Sequence, residues 1–218
     1  FIPTQSGGFI LCDAGANANV KPHHLVQFAI MSQAYLVHLE GRTNPKVGLL
    51  NIGLEKSKGN ELTVAAYPLL EQLVNNFAGN IEARYILDGI VDVVVCDGFV
   101  GNSILKAIEG LVKHTFEWLK QNIKDHPISR IGAPLMAPAF NDLKKTLDYE
   151  EHGGTSFLGI DGIVIKAHGS SSGRAIKNSL IAAQKAYDEK LIEDITTRMK
   201  ITIDTMEERN NDQVSISA

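Results

Sequence analysis

The stretch that most constrains the fold is Val91-Asp92-Val93-Val94-Val95-Cys96, β-branched and nearly continuous in its apolar character, which stops on Asp97-Gly98 and opens into a helical pattern. A β-branched run without polar alternation reads as a strand covered on both faces, the habit of a parallel sheet. The same order of events recurs. Phe9 to Cys12 is a short apolar run ending on Asp13 and an Ala-Gly-Ala-Asn turn. Pro22 then stands at a first helical position, and Leu25, Phe28, Ala29, Ser32, Tyr35, Leu36 and Leu39 follow at helical spacing. Lys46 to Leu50 predicts a second strand, with a polar loop through Gly59. Asn60 is placed to cap a helix reaching about Asn75, with Leu62, Ala66, Leu69, Leu70 and Leu73 along one side. Pro68 inside that pattern predicts a kink or a displaced helix start.

Phe77 to Ile81 predicts a third strand, and Arg84 to Leu87 a short helix before the strand at Val91. Ile163 to Lys166 reads as a further buried strand, followed by one last helix from about Gly173 to Lys200; the polar end from Asn210 is expected to fray. Strands alternating with helices predict an α/β fold: three αβα layers around a mostly parallel sheet, in a single domain over 1–218.

Residues 103–150 break this rhythm. Ile104, Leu105, Ile108, Leu111, Val112, Phe116, Leu119 and Ile123 form the apolar face of a long helix. Pro127 to Phe140 is rich in Pro, Gly and apolar residues and reads as a loop, and a shorter helix returns through Leu143 and Leu147. The pattern predicts a projecting helical hairpin whose stripe needs cover, for which a second subunit is the usual solution. Ile131, Leu135, Met136 and Phe140, rimmed by Arg130, Lys144 and Lys145, form a candidate contact with a membrane surface.

Composition excludes several classes. The 218 residues carry a net charge of −4, which argues against a nucleic-acid binder. Cys12 and Cys96 show no metal-ligand spacing, so no metal is expected, and they read as buried thiols of a reducing compartment. No apolar run approaches the roughly 20 residues of a membrane span. The chain starts at Phe1 without an initiator Met and is expected to be entered partway through.

In open α/β sheets, ligands bind beyond the carboxyl ends of the strands. Four loops fit that position: 13–17, 51–60, 97–102 and 166–172. Each carries glycine, which lets backbone N–H groups approach an anion at a helix N-terminus. Lys58, Lys166, His168 and Arg174 add positive or protonatable groups. The set reads as a phosphate cradle. A GxxxxGK(S/T) loop and a GxGxxG dinucleotide fingerprint are both missing from the sequence, and no cofactor is expected.

The segments DAGAN (13–17), KPHHLVQFAIM (21–31), NPKVGLLNIG (44–53), KGNELT (58–63), DVVVCDGFVGN (92–102) and IDGIVIKAHGSS (160–171) together resemble the phosphate acyltransferases of bacterial phospholipid synthesis, the PlsX family. The resemblance implies a fold like that of isocitrate and isopropylmalate dehydrogenases. It implies a homodimeric cytosolic acyltransferase that associates with membranes without spanning them. The implied reaction converts acyl carrier protein thioesters and inorganic phosphate to acyl phosphate and free carrier protein. The hairpin would then serve dimerisation and membrane contact, and the family's N-terminal portion is expected to be missing from this chain. Asn19, Lys56 and Ser57 depart from the family pattern.

On this reading Lys166, His168 and Asp13 are the candidate catalytic residues. Lys166 and the backbone around Gly169, Ser170 and Ser171 would hold phosphate. Asn17, Asn51 and Asn102 would orient phosphate and thioester, with Gly53, Lys58, Asn60, Asp97 and Gly98 completing the substrate-binding set. His168 would position phosphate or protonate the departing thiolate. Asp13 and Asp97 would each hold a loop, fix a lysine or bind a cation. The competing readings are a short-chain phosphotransacetylase and a non-catalytic scaffold that binds phosphate or carrier protein.

Overall fold

The computed structural model describes residues 1–4, 7–146, 154–167, 169 and 171–216. Its centre is a four-stranded, all-parallel sheet of β1 (Ile10–Cys12), β2 (Val47–Asn51), β3 (Phe77–Glu82) and β4 (Val93–Val95), in the order β1-β4-β2-β3. Alternation along each strand sends side chains to two apolar clusters. Ile10, Val47, Leu49, Val93 and Val95 face one side, and Phe9, Leu11, Leu50, Ile81, Val94 and Cys96 the other. Gly48 sits on the second face, where an added Cβ would lie 2.9 Å from the Ile81 side chain.

The first face is covered by α1 (Pro22–Glu40) and α2 (Glu61–Leu73), and beyond them by α5 (Gly173–Asp188) and α6 (Leu191–Ile216). Because α1 lies between the sheet and α5–α6, it is buried more broadly than the single stripe read from sequence. Val26, Ile30, Met31, Gln33 and Ala34 are buried along with Leu25, Phe28, Ala29, Ser32, Leu36 and Leu39. Gln33 survives burial because its amide donates to the carbonyls of Pro45 and Asn75, both at 2.7 Å. On the outer side, His38 Nε2 and Asp194 Oδ2 stand 2.9 Å apart and Arg198 Nε donates to the same oxygen at 2.7 Å, tying α6 to α1. The second face is covered by the short 3-10 turn Ala83–Tyr85 with Ile86, and by Val100, Ile104, Leu105 and Ile108 at the start of α3 (Gly98–Asp125). The helix–sheet–helix layering is the predicted three-layer α/β arrangement.

Several boundaries differ from the sequence reading. α2 starts at Glu61 and runs through Pro68, so its start is not displaced. The predicted loop from Pro127 to Phe140 is instead helical: α4 (Pro127–Thr146) includes Pro134 and Pro138. Helix α4 is mostly exposed, so water can satisfy the carbonyls those prolines leave free. Leu147 of the expected return helix lies outside the described residues. The last helix breaks in two at Lys190, whose φ of 54° is left-handed, and its second half reaches Ile216 where fraying was expected from Asn210.

The correction with most bearing on function concerns Ile163 to Lys166. This run forms β6 (Val164–Lys166), which pairs antiparallel with β5 (Thr155–Phe157) in a separate two-stranded sheet. Val164 and Lys166 are exposed and Ile165 is half-buried, so β6 is neither buried nor part of the parallel sheet.

Candidate active site

Three of the four candidate loops leave the carboxyl ends of β1, β4 and β2, which are adjacent in the sheet. The first is organised by Asp13, which is 7% exposed. Its Oδ1 accepts from the backbone N–H groups of Gly15 and Ala16, both at 2.9 Å. Its Oδ2 accepts from the Asn17 backbone at 2.6 Å and from Asn17 Nδ2 at 3.0 Å. Four donors on one carboxylate fill most of its acceptor sites. Asp13 therefore holds the loop, and Asn17 is held with it.

The second loop locks onto the first. Asp97 caps α3, its Oδ1 accepting from Val100 N–H at 2.9 Å, while Gly98 N–H donates to the Asn17 carbonyl at 2.9 Å. A Cβ at Gly98 would stand 2.8 Å from that carbonyl oxygen, and a Cβ at Gly101 only 1.9 Å from the Asp13 carbonyl oxygen. Two glycines are required because two backbones touch here. Gly15, with φ of 130°, lies against the Asn102 side chain, which is exposed.

The third loop follows β2. Asn51 Nδ2 donates to the Lys58 carbonyl at 2.9 Å, and Asn51 Oδ1 accepts from Ile52 N–H at 2.8 Å. Asn60 caps α2, accepting from Thr63 N–H at 2.9 Å. Gly59, with φ of 111°, leaves no room for a Cβ against Thr63 and Asn51. Asn80 Nδ2 reaches across from β3 to the Glu55 carbonyl at 2.8 Å. Gly53 is buried, while Lys58 is exposed at the open side.

The backbone donors expected to cradle an anion are thus largely committed. The N–H groups of Gly15, Ala16, Asn17, Ile52, Gly98 and Val100 already serve acceptors within the chain. Lys58 and Asn102 are exposed at this edge. Asp13, Asn17, Asn51, Asn60, Asp97 and Gly98 build the platform.

The fourth loop stands apart. Lys166 ends β6 and is exposed, Gly169 and Ser171 lead toward α5, and Ser172 caps that helix by accepting from Ala175 N–H at 3.3 Å. His168 and Ser170 lie outside the described residues. No hydrogen bond or ion pair among the described residues joins Lys166 to the other three loops.

The thiols are poor nucleophiles. Burial pushes the Cys12 thiol up to about 12 and raises Cys96 as well, so both stay protonated at neutral pH. Among the described residues, no group of three His, Cys, Asp or Glu side chains is placed to hold a metal ion. His38 belongs to the α1–α6 tie. Sequence reasoning also missed Gly101 and Gly59 as site-building residues. The signal was available at Gly101, because glycine in a helix's first turn costs about 0.5–1 kcal/mol relative to alanine and needs a reason.

Residues 1–194 match the family described as "Fatty acid synthesis protein". The chain belongs to that family. Among its relatives, "Phosphate acyltransferase" of Clostridium botulinum (strain ATCC 19397 / Type A) is 48% identical over 198 residues, covering 91% of this chain and 59% of the relative. "Phosphate acyltransferase" of Clostridium perfringens (strain SM101 / Type A) is 47% identical over 192 residues, covering 88% of this chain and 57% of the relative. The chain therefore spans 57–59% of the length of these two family members. The matched stretch contains all three loops as well as Lys166 and Gly169, so the candidate site lies inside the region matched to the fatty acid synthesis family.

Proposed function

We propose that this chain carries part of the active site of a phosphate acyltransferase, which moves a fatty acyl group from an acyl carrier protein thioester to inorganic phosphate. The observation that carries the reading is the set of three hydrogen-bonded loops at the carboxyl end of the sheet, within a stretch 48% identical to a relative named phosphate acyltransferase.

The chemistry suits such a platform. A phosphate oxygen attacks the thioester carbonyl carbon, a C–O bond forms, the C–S bond breaks, and the carrier's sulfur leaves as thiolate to take up a proton. The thioester is already activated, so the protein's contribution is positioning and charge stabilisation. The protonated state of Cys12 and Cys96 agrees with direct attack and disfavours an acyl-cysteine intermediate. Lys58, Asn102 and Lys166 are the exposed polar side chains available to phosphate. Asp13 acts as a positioning residue, since its carboxylate is occupied by the loop it holds. Gly169 and Ser171 are assigned to the phosphate contact ahead of α5, and for His168 and Ser170, outside the described residues, the reading keeps the roles of positioning phosphate or protonating the thiolate (His168) and of holding phosphate (Ser170). Lys166→Ala is expected to lower phosphate-dependent turnover at least tenfold, mainly by raising KM for phosphate. Unchanged turnover and KM would remove Lys166 from the site.

The same reading includes a cytoplasmic homodimer at a membrane surface. No described helix is long and apolar enough to cross a membrane. The α3–α4 hairpin leaves Leu111, Trp118, Ile128, Ile131, Leu135 and Met136 exposed, with Phe140 half-buried, which supports a face covered by a second copy or a lipid surface. Loss of liposome flotation in Leu135→Glu with Met136→Glu, at unchanged dimer mass by light scattering, is the expected result. Unchanged flotation contradicts the membrane contact.

A further inference from the structure

We infer that Ile52, Leu54 and Phe99 form a rim that takes the hydrocarbon chain of the acyl donor, an inference that rests on the acyl-transfer reading above. All three are large apolar side chains on the site loops, and they are 80%, 60% and 70% exposed. Each is interleaved with the platform residues. Ile52 follows Asn51 and Leu54 follows the buried Gly53, while Phe99 stands in the first turn of α3 between Gly98 and Gly101.

The strand register brings the two loops that carry them out of neighbouring strands. Leu49 of β2 pairs with Val95 of β4, so the two loops leave neighbouring strands two residues further on, about 5 Å apart. The backbone beneath is fixed: Asn51 holds Ile52 N–H, Asp97 caps α3, and Gly98 is pinned to Asn17. The exposed side chains are therefore presented by a pre-ordered frame, which lowers the ordering cost for a flexible ligand. An alkyl chain matches their chemistry, and the adjoining polar edge of Lys58 and Asn102 matches the anion that must meet its carbonyl end. The rim would set selectivity for long acyl groups while leaving the phosphate contacts alone.

The test is calorimetric titration of the chain with hexanoate, octanoate and laurate below their micellar concentrations, and separately with inorganic phosphate. Laurate affinity should exceed hexanoate affinity by about twofold per added methylene, as expected for partial burial of each group. Replacing Ile52→Ser, Leu54→Ser and Phe99→Ser together should lower laurate affinity at least tenfold and flatten the chain-length dependence, with phosphate binding unchanged. Phe99→Leu should recover most of the loss in the single-site background. Far-UV dichroism of each variant checks the fold, which exposed positions should leave intact. An Ile131→Ser with Leu135→Ser hairpin variant should bind laurate as the parent does.

Laurate binding that ignores the rim, that follows the hairpin variant instead, or that does not occur overturns the inference. Phosphate binding with a rim-insensitive laurate response would leave the acyl-transfer reading standing without this rim. Rim-dependent laurate binding with no phosphate binding would do the reverse.

Discussion

Gly101→Ala is the sharpest perturbation, because the helix and the loop pull in opposite directions. Alanine is favoured over glycine inside a helix by about 0.8–1 kcal/mol, so on local grounds the substitution stabilises α3. The new Cβ would stand 1.9 Å from the Asp13 carbonyl oxygen and 2.9 Å from Cys96 Sγ. The first distance must open by more than 1 Å, and the atom in the way is backbone. Moving it strains the Asp13 N–H bond to the Cys96 carbonyl, 2.9 Å long, and the carboxylate that gathers the Gly15, Ala16 and Asn17 donors. Overpacking costs about 1–3 kcal/mol, and disrupting buried hydrogen bonds about 1–3 kcal/mol more. After the helix gain is subtracted, the net loss is about 1–5 kcal/mol, centred near 3. Gly110 provides the control on the same helix, since nothing stands within 4 Å of its Cβ position. Urea unfolding followed by far-UV dichroism should show a midpoint about 1 M lower for Gly101→Ala, at a slope of ~2–3 kcal/mol/M. Gly110→Ala should be unchanged or slightly higher. A Gly101→Ala midpoint equal to that of Gly110→Ala would refute the close contact.

Asp13→Asn retains the size of the side chain but gives its amide end two donors that face donors, and it should cost about 1–3 kcal/mol of stability with a matching loss of turnover; full retention of both would mean the loop does not depend on the carboxylate. Asp194 has burial acting against it, but hydrogen bonds from His38 and Arg198 outweigh that and hold its carboxyl below the ordinary 3.8. A depressed carboxyl stabilises the fold above its unfolded value and loses that contribution as pH falls through the lower folded value. The melting temperature of wild type should therefore exceed that of Asp194→Asn at pH 7 and converge with it below about pH 3.8; a constant difference across that window contradicts the assignment. With burial holding the Cys12 thiol near 12 and Cys96 raised too, a thiol reagent should label neither cysteine rapidly in the native protein at pH 8 and both after denaturation. Rapid native labelling would show the site to be more open.

The parallel sheet was legible because its strands announce themselves twice, as β-branched runs and as the Asp or Asn turns that end them. Asp13, Asn51 and Asp97 each stand at the junction where the structure uses them. Their roles were less legible. A carboxylate followed by small residues reads equally as a ligand for substrate or as an acceptor for its own loop, and only the geometry shows Asp13 accepting four donors. The place of β6 was hidden for a similar reason: Ile163 to Lys166 has the composition of a buried strand, and composition does not name a pairing partner. The break at Lys190 left no trace, since Asp188-Glu189-Lys190 contains neither glycine nor proline. At α4 the prolines misled in the other direction, because an exposed helix tolerates the lost donors better than a buried one.

The most direct test of the central claim is phosphate-dependent release of free thiol from palmitoyl-acyl carrier protein, using a protein of the relatives' full length that carries these 218 residues. The account predicts thiol release that saturates with phosphate, yields one acyl phosphate per thiol and stops when phosphate is withheld. Thiol release that continues at the same rate without phosphate, or carrier protein bound with no turnover at any phosphate concentration, would contradict it.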